Sequence, residues 1–90
     1  MKSTSTLRAL CATSLKPNQL SLHPNDGFDL GMMTTGYEVE LDGTGPAFIK
    51  LQNDCPPDCL QLAPSLFERL GKPRRAVVKY DGTRLYIEPR

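Results

Sequence analysis

Apolar and polar positions agree on a definite series of elements over residues 60–89. Leu60 and Leu62 alternate with Gln61, the period of a short half-buried strand. Pro64 then suits the first position of a helix, where its missing N–H would have had no partner and its fixed φ is already helical. Leu66, Phe67 and Leu70 form an apolar stripe, with Glu68 and Arg69 on the other face. Gly71 and Pro73 stop the helix after roughly two turns. Ala76–Tyr80 is β-branched and aromatic, Asp81-Gly82 signals a tight two-residue turn, and Leu85-Tyr86-Ile87 resumes the alternation. Residues 60–89 therefore read as strand, helix, strand, turn, strand.

The rest of the chain gives weaker signals. Leu20 to His23 reads as a short strand, and His23-Pro24-Asn25-Asp26-Gly27 as a turn. Gly31–Gly36 reads as a flexible connector. Tyr37, Val39 and Leu41 alternate with Glu38 and Glu40, and Ala47–Leu51 makes a second strand, so the two form a hairpin about Asp42–Pro46. Gln52–Cys59 is polar, holds two prolines and reads as a rigid, exposed loop. Strand-Asp-Gly-strand occurs twice, at Asp42-Gly43 and Asp81-Gly82, without a clear internal repeat. The expected fold is one small α+β domain, mostly β, spanning residues 14–90 and built of hairpins with one short helix. Residues 1–13 are expected to form a flexible tail.

With 39% hydrophobic and 23% charged residues the chain is ordinary for a globular domain, and no apolar run nears the ~20 residues a membrane span requires. Arg8 interrupts the short apolar stretch at the start, which argues against a signal peptide and for a cytoplasmic protein. A chain of 90 residues buries only about two thirds of its surface, so pairing with a second copy would be a common remedy. Net charge is +1 but unevenly spread. Residues 1–59 hold four Lys/Arg against seven Asp/Glu, whereas residues 60–90 hold seven against three. The second part can therefore face a polyanion if Arg69, Lys72, Arg74, Arg75 and Lys79 cluster.

Candidate chemistry is sparse. Cys55 and Cys59, with Cys11 and His23 elsewhere, fall short of the paired ligands that zinc prefers. His23, the only histidine, stands near Asp26, Asp29 and Ser21, but nearness in sequence is not the geometry of a catalytic triad. Gly43-Thr44-Gly45 lacks the helix of a phosphate-binding loop and reads as a turn. The six aromatic residues are spread along the chain without the basic interleaving of a single-stranded nucleic-acid platform, except near Tyr80 and Tyr86, and most are expected in the core. No enzyme and no cofactor is indicated by these residues.

Leu60–Gly71 followed by Val77–Pro89 resembles the AbrB/MazE/SpoVT swapped-hairpin family, whose members run from a strand through a Pro-led helix ending in Leu-Gly to a strand-Asp-Gly-strand hairpin. The resemblance covers about a third of the chain, or half if Phe48–Leu51 is the family's first strand. It implies a bacterial, intertwined homodimer that binds duplex DNA as a transcriptional regulator or as the antitoxin of a toxin pair. One branch, the SymE-like proteins, is described as toxins. Two features differ from the family pattern: the loop before the helix, Gln52–Asp58, is acidic, and Lys72-Pro73-Arg74-Arg75 stands where a glycine is usual. Phosphate contacts would therefore fall to Arg74, Arg75 and Lys79. The alternative expectation is a protein-interaction module, an adaptor or phage-type inhibitor, that adds a partner's strand to a hairpin edge.

Overall fold

Two short apolar strands, β3 (Gln19–Leu22) and β6 (Cys59–Leu62), lie antiparallel at the centre of the fold, with Leu20 opposite Leu62 and Leu22 opposite Leu60. All four leucines are fully buried. The computed structural model describes residues 1–90. Around this pair stand β2 (Leu7–Cys11), parallel to β6, and β5 (Gly45–Leu51), parallel to β3. The strands β4 (Gly36–Leu41), β7 (Arg75–Tyr80) and β8 (Arg84–Pro89) complete the sheet in the order β7-β2-β6-β3-β5-β4-β8. Pairing of β8 with both β7 and β4 closes it into a seven-stranded barrel. A two-residue strand, β1 (Lys2–Ser3), adds to β7 outside the ring.

The two six-residue helices, α1 (Pro24–Asp29) and α2 (Pro64–Arg69), begin with proline as the sequence of α2 predicts. Leu66 is buried, with Phe67 and Leu70 half-buried on the same stripe. Gly71 takes φ 83, the left-handed conformation that ends the helix without a Cβ penalty. Both expected hairpins form, β4 with β5 and β7 with β8. Each turn holds three residues between its strands, 42–44 and 81–83, one more than a two-residue Asp-Gly turn needs.

Several expectations are corrected. Residues 1–13 are not a tail: β2 is an integral barrel strand, and Leu7 is fully buried. His23–Gly27 is helix rather than turn, because His23 supplies an N-cap whose Nδ1 accepts from the Asn25 N–H at 3.1 Å. There are therefore two helices. Gln52–Cys59 is not wholly exposed, since Cys55 and Cys59 are buried. The Gly31–Gly36 connector is tethered, the Tyr37 hydroxyl accepting from the Met33 and Thr34 amides at 2.7 and 3.2 Å. None of the six aromatic residues is in the buried core: Phe28 is exposed and the other five are half-buried.

The chain is also a structural duplication. Residues forty apart occupy matching places: Pro24 and Pro64 open the helices, Asn18 and Asp58 both adopt left-handed φ near 60°, and Gly31 and Gly71 follow the helices. Hydrogen bonds repeat with the same offset, Ala12 N–H to Leu62 O at 2.8 Å and Gln52 N–H to Leu22 O at 3.0 Å. The halves interlock. β2 and β3 are successive in sequence but separated in the sheet by β6, and β5 and β6 are likewise separated by β3. Neither half has a complete core without the other.

Candidate basic groove

The segment that follows each helix lines a groove, and the side chains of the two grooves differ. In the second half, Lys72, Pro73, Arg74 and Arg75 follow α2 and line a groove of about 500 Å³ together with Arg8, Ala9, Leu10 and Phe67. The matching residues of the first half are Met32, Met33, Thr34 and Thr35, which line a neutral groove of about 380 Å³ with Phe28 and Leu51. The same backbone thus carries cations on one side and apolar and hydroxyl groups on the other.

Barrel alternation explains how the basic groove is built. On β2, Leu7 and Ala9 point into the core, so Arg8 and Leu10 point out. Antiparallel pairing sets Arg8 directly opposite Arg75 of β7, and the Ala9 N–H reaches Arg74 O at 2.9 Å. Lys72 holds φ 53, a left-handed conformation unusual outside glycine, which carries the chain from the end of α2 into β7. Phe67, half-buried on α2, also lines the groove.

The five sequence-predicted cations separate on this frame. Lys72, Arg74 and Arg75 come together in the groove, while Arg69 is exposed at the end of α2 and does not line it. Lys79 is paired to Glu88 at 3.1 Å, and Arg90 reaches the same carboxylate at 3.1 Å. Those two cations, Lys79 foremost, hold the Glu88 carboxyl below its ordinary range. Arg84 pairs with Asp42 at 3.6 Å. No carboxylate lies within ion-pair distance of Arg8, Lys72, Arg74 or Arg75. Arg8 is the residue sequence reasoning missed. Only the β2–β7 pairing, across more than sixty positions of chain, shows that it belongs with Arg75.

The other candidate residues have structural places. The Cys55 thiol lies 3.7 Å from both Ser21 O and Cys59 O, and burial pushes its pKa up to about 11, so it is a packing group rather than a nucleophile. Its counterpart in the first half is the buried Leu15. Cys11 is exposed on β2, and all three cysteines are free thiols. His23 Nδ1 is engaged in capping α1. No three His, Cys, Asp or Glu side chains are grouped to hold a metal ion. Glu38 is exposed and Glu40 half-buried, on the outer side of β4 as its alternation predicts.

No helix is long and apolar enough to cross a membrane. No family model, no curated protein and no solved structure matches the chain.

Proposed function

We propose that this is a non-enzymatic nucleic-acid-binding protein of the regulator or antitoxin type, which holds the sugar-phosphate backbone through Arg8, Lys72, Arg74 and Arg75. One observation carries the reading: four cations without carboxylate partners surround one groove, two of them set opposite each other on adjacent strands. Like charges opposed across strands cost about 0.2–1 kcal/mol, a cost a bridging phosphate reverses. Outside the groove Lys79, Arg84 and Arg90 are paired with acids, and the other unpaired cations, Lys2, Lys16, Lys50 and Arg69, do not line it. The resemblance of residues 60–89 to the swapped-hairpin DNA-binding family points the same way, and with it comes the homodimer which that family implies.

Arg75→Thr tests the reading with two opposite effects. Thermal unfolding should rise by a few degrees, because relief of up to about 1 kcal/mol moves the midpoint by about 4–8 °C in a domain of this size. Nucleic-acid affinity, followed by fluorescence anisotropy across a salt series, should fall, and the slope of log affinity against log salt should shrink by roughly 0.7–0.9. Wild-type binding that ignores salt would reject the proposal.

A second reading, a protein-interaction module, draws on the neutral groove, beside which Phe28 and Met33 stand 65% and 78% exposed. Docking there would be by apolar side chains, not by strand addition. Both hairpins have their outer strands paired within the closed barrel, and only the two-residue β1 offers an edge. Replacing Phe28 and Met33 together with serine should leave the unfolding midpoint nearly unchanged. Light scattering should then return the 10.0 kDa single-chain mass if wild-type chains associate through this face. A wild-type dimer that survives both substitutions would place the interface elsewhere.

A further inference from the structure

We infer that the basic groove takes a single strand of nucleic acid in preference to a duplex. The inference rests on the nucleic-acid reading and specifies its ligand. Duplex readers place a helix or a two-stranded ribbon in the major groove, about 12 Å wide, and offer their side chains from a projecting surface. This barrel has no suitable projection. Its helices are six residues long and α2 is anchored by the buried Leu66.

The tips of the two ribbons carry two acids, Asp42 and Asp81, against one cation, Arg84, which pairs with Asp42, so they would meet phosphate with a net negative charge. The Asp81 carboxylate is committed within its own turn, accepting from the Arg84 and Thr83 amides at 2.7 and 2.9 Å, bonds that hold its carboxyl below the ordinary range. Beside the groove on the β7–β8 ribbon, Lys79 and Arg90 share the single Glu88 carboxylate, so the cations without an acid partner on this side stop at the groove's margin.

The cations instead edge a concavity that the half-buried Phe67 also lines. A charged groove with an aromatic lining suits a flexible strand: phosphates follow the cations, and an unstacked base lies on the ring. A duplex keeps its bases stacked inside and gains only the phosphate part of this.

The test is fluorescence anisotropy on the full chain at low salt, with a labelled oligothymidine of about 16 nucleotides and a mixed-sequence duplex of the same length. The single strand should bind about tenfold or more tightly, with a salt slope of roughly −3 if all four cations meet phosphate at about −0.7 each. Phe67→Leu, which keeps the apolar lining but removes the ring's π face, should weaken single-strand binding about fivefold or more and leave duplex binding unchanged. Phe67→Tyr should restore it. Arg75→Thr, outside the core, should weaken both ligands.

Equal or tighter duplex binding would overturn the single-strand preference and leave the nucleic-acid reading standing. Salt-insensitive binding, or none to either ligand, would overturn both. A folded Phe67→Leu with wild-type single-strand affinity would remove the stacking role of Phe67.

Discussion

Leu60→Ala should cost about 2–5 kcal/mol of folding stability, much of the roughly 5–13 kcal/mol expected for a domain of this length. Leu60 is fully buried and faces Leu22 across the central β3–β6 pair, where the equivalent strands of the two halves meet. Truncation there leaves a cavity walled by strands from both halves, which barrel closure prevents from collapsing. The duplication adds a sharper expectation. Leu20, the equivalent of Leu60, is also fully buried and paired across the same axis, so Leu20→Ala should cost a similar amount. Leu70→Ala, at a half-buried position on the outer stripe, should cost clearly less. Guanidinium unfolding followed by circular dichroism would measure all three. A loss below about 1 kcal/mol for either central leucine would contradict the interlocked core.

Asp26→Asn should stabilise the protein at neutral pH and remove part of its pH dependence. Asp26 is the one buried carboxylate, 5% exposed, and its Oδ2 accepts from the Asp58 N–H at 2.9 Å, tying α1 to the loop that enters β6. Burial is the largest influence on it and raises its carboxyl above the ordinary value. The Asp58 amide pulls the other way, the Asp58 and Asp29 charges add to the rise, and His23 opposes it. A carboxyl raised in the folded state contributes stability that is present below its pKa and lost as pH rises through it. Asparagine keeps an acceptor for the Asp58 amide without the buried charge.

The variant should therefore exceed wild type most at neutral pH, and the excess should fade as pH drops below the carboxylate range. Asp81 and Glu88, both depressed, act with the opposite sign: what they contribute is lost as pH falls through their folded values. Only the difference between variant and wild type isolates Asp26. A difference that stays flat with pH would contradict the burial argument. In the second half the matching position is Leu66, so the fold also accepts an apolar side chain there.

Much of the second half could be read locally. Pro64, Gly71 and the Leu66 stripe specify α2 through helix entry, exit and one buried face, and the β7–β8 hairpin follows from alternation around Asp81-Gly82. The first half carries the same framework, but its signals are diluted. Asp26 and Gly27 stand where α2 has Leu66 and Phe67, so the apolar stripe that marks the second helix is missing from the first. Gly27 itself fits because Leu51 fills the space beside it: a Cβ there would lie 2.6 Å from a Leu51 methyl.

The repeat was also present in the sequence. Leu20/Leu60, Leu22/Leu62, Pro24/Pro64, Leu30/Leu70 and Gly31/Gly71 are forty apart, and Val39/Val78 and Asp42-Gly43-Thr44/Asp81-Gly82-Thr83 thirty-nine apart. The one-residue change of spacing after the helices hides it from a search at fixed period.

By itself, then, the sequence determined the elements of residues 37–51 and 60–89, because strand alternation, proline helix starts and glycine stops act over a few residues. It also determined the mostly β class and the excess of cations after residue 60. Only the tertiary structure decided that β6 lies between β2 and β3, that the hairpin edges are consumed in a closed ring, and that Arg8 joins Lys72, Arg74 and Arg75 while Lys79 is paired with Glu88. Each of these depends on pairing between strands far apart in the chain. Such pairing is selected by the whole set of buried faces that must close together, and no local window contains that set.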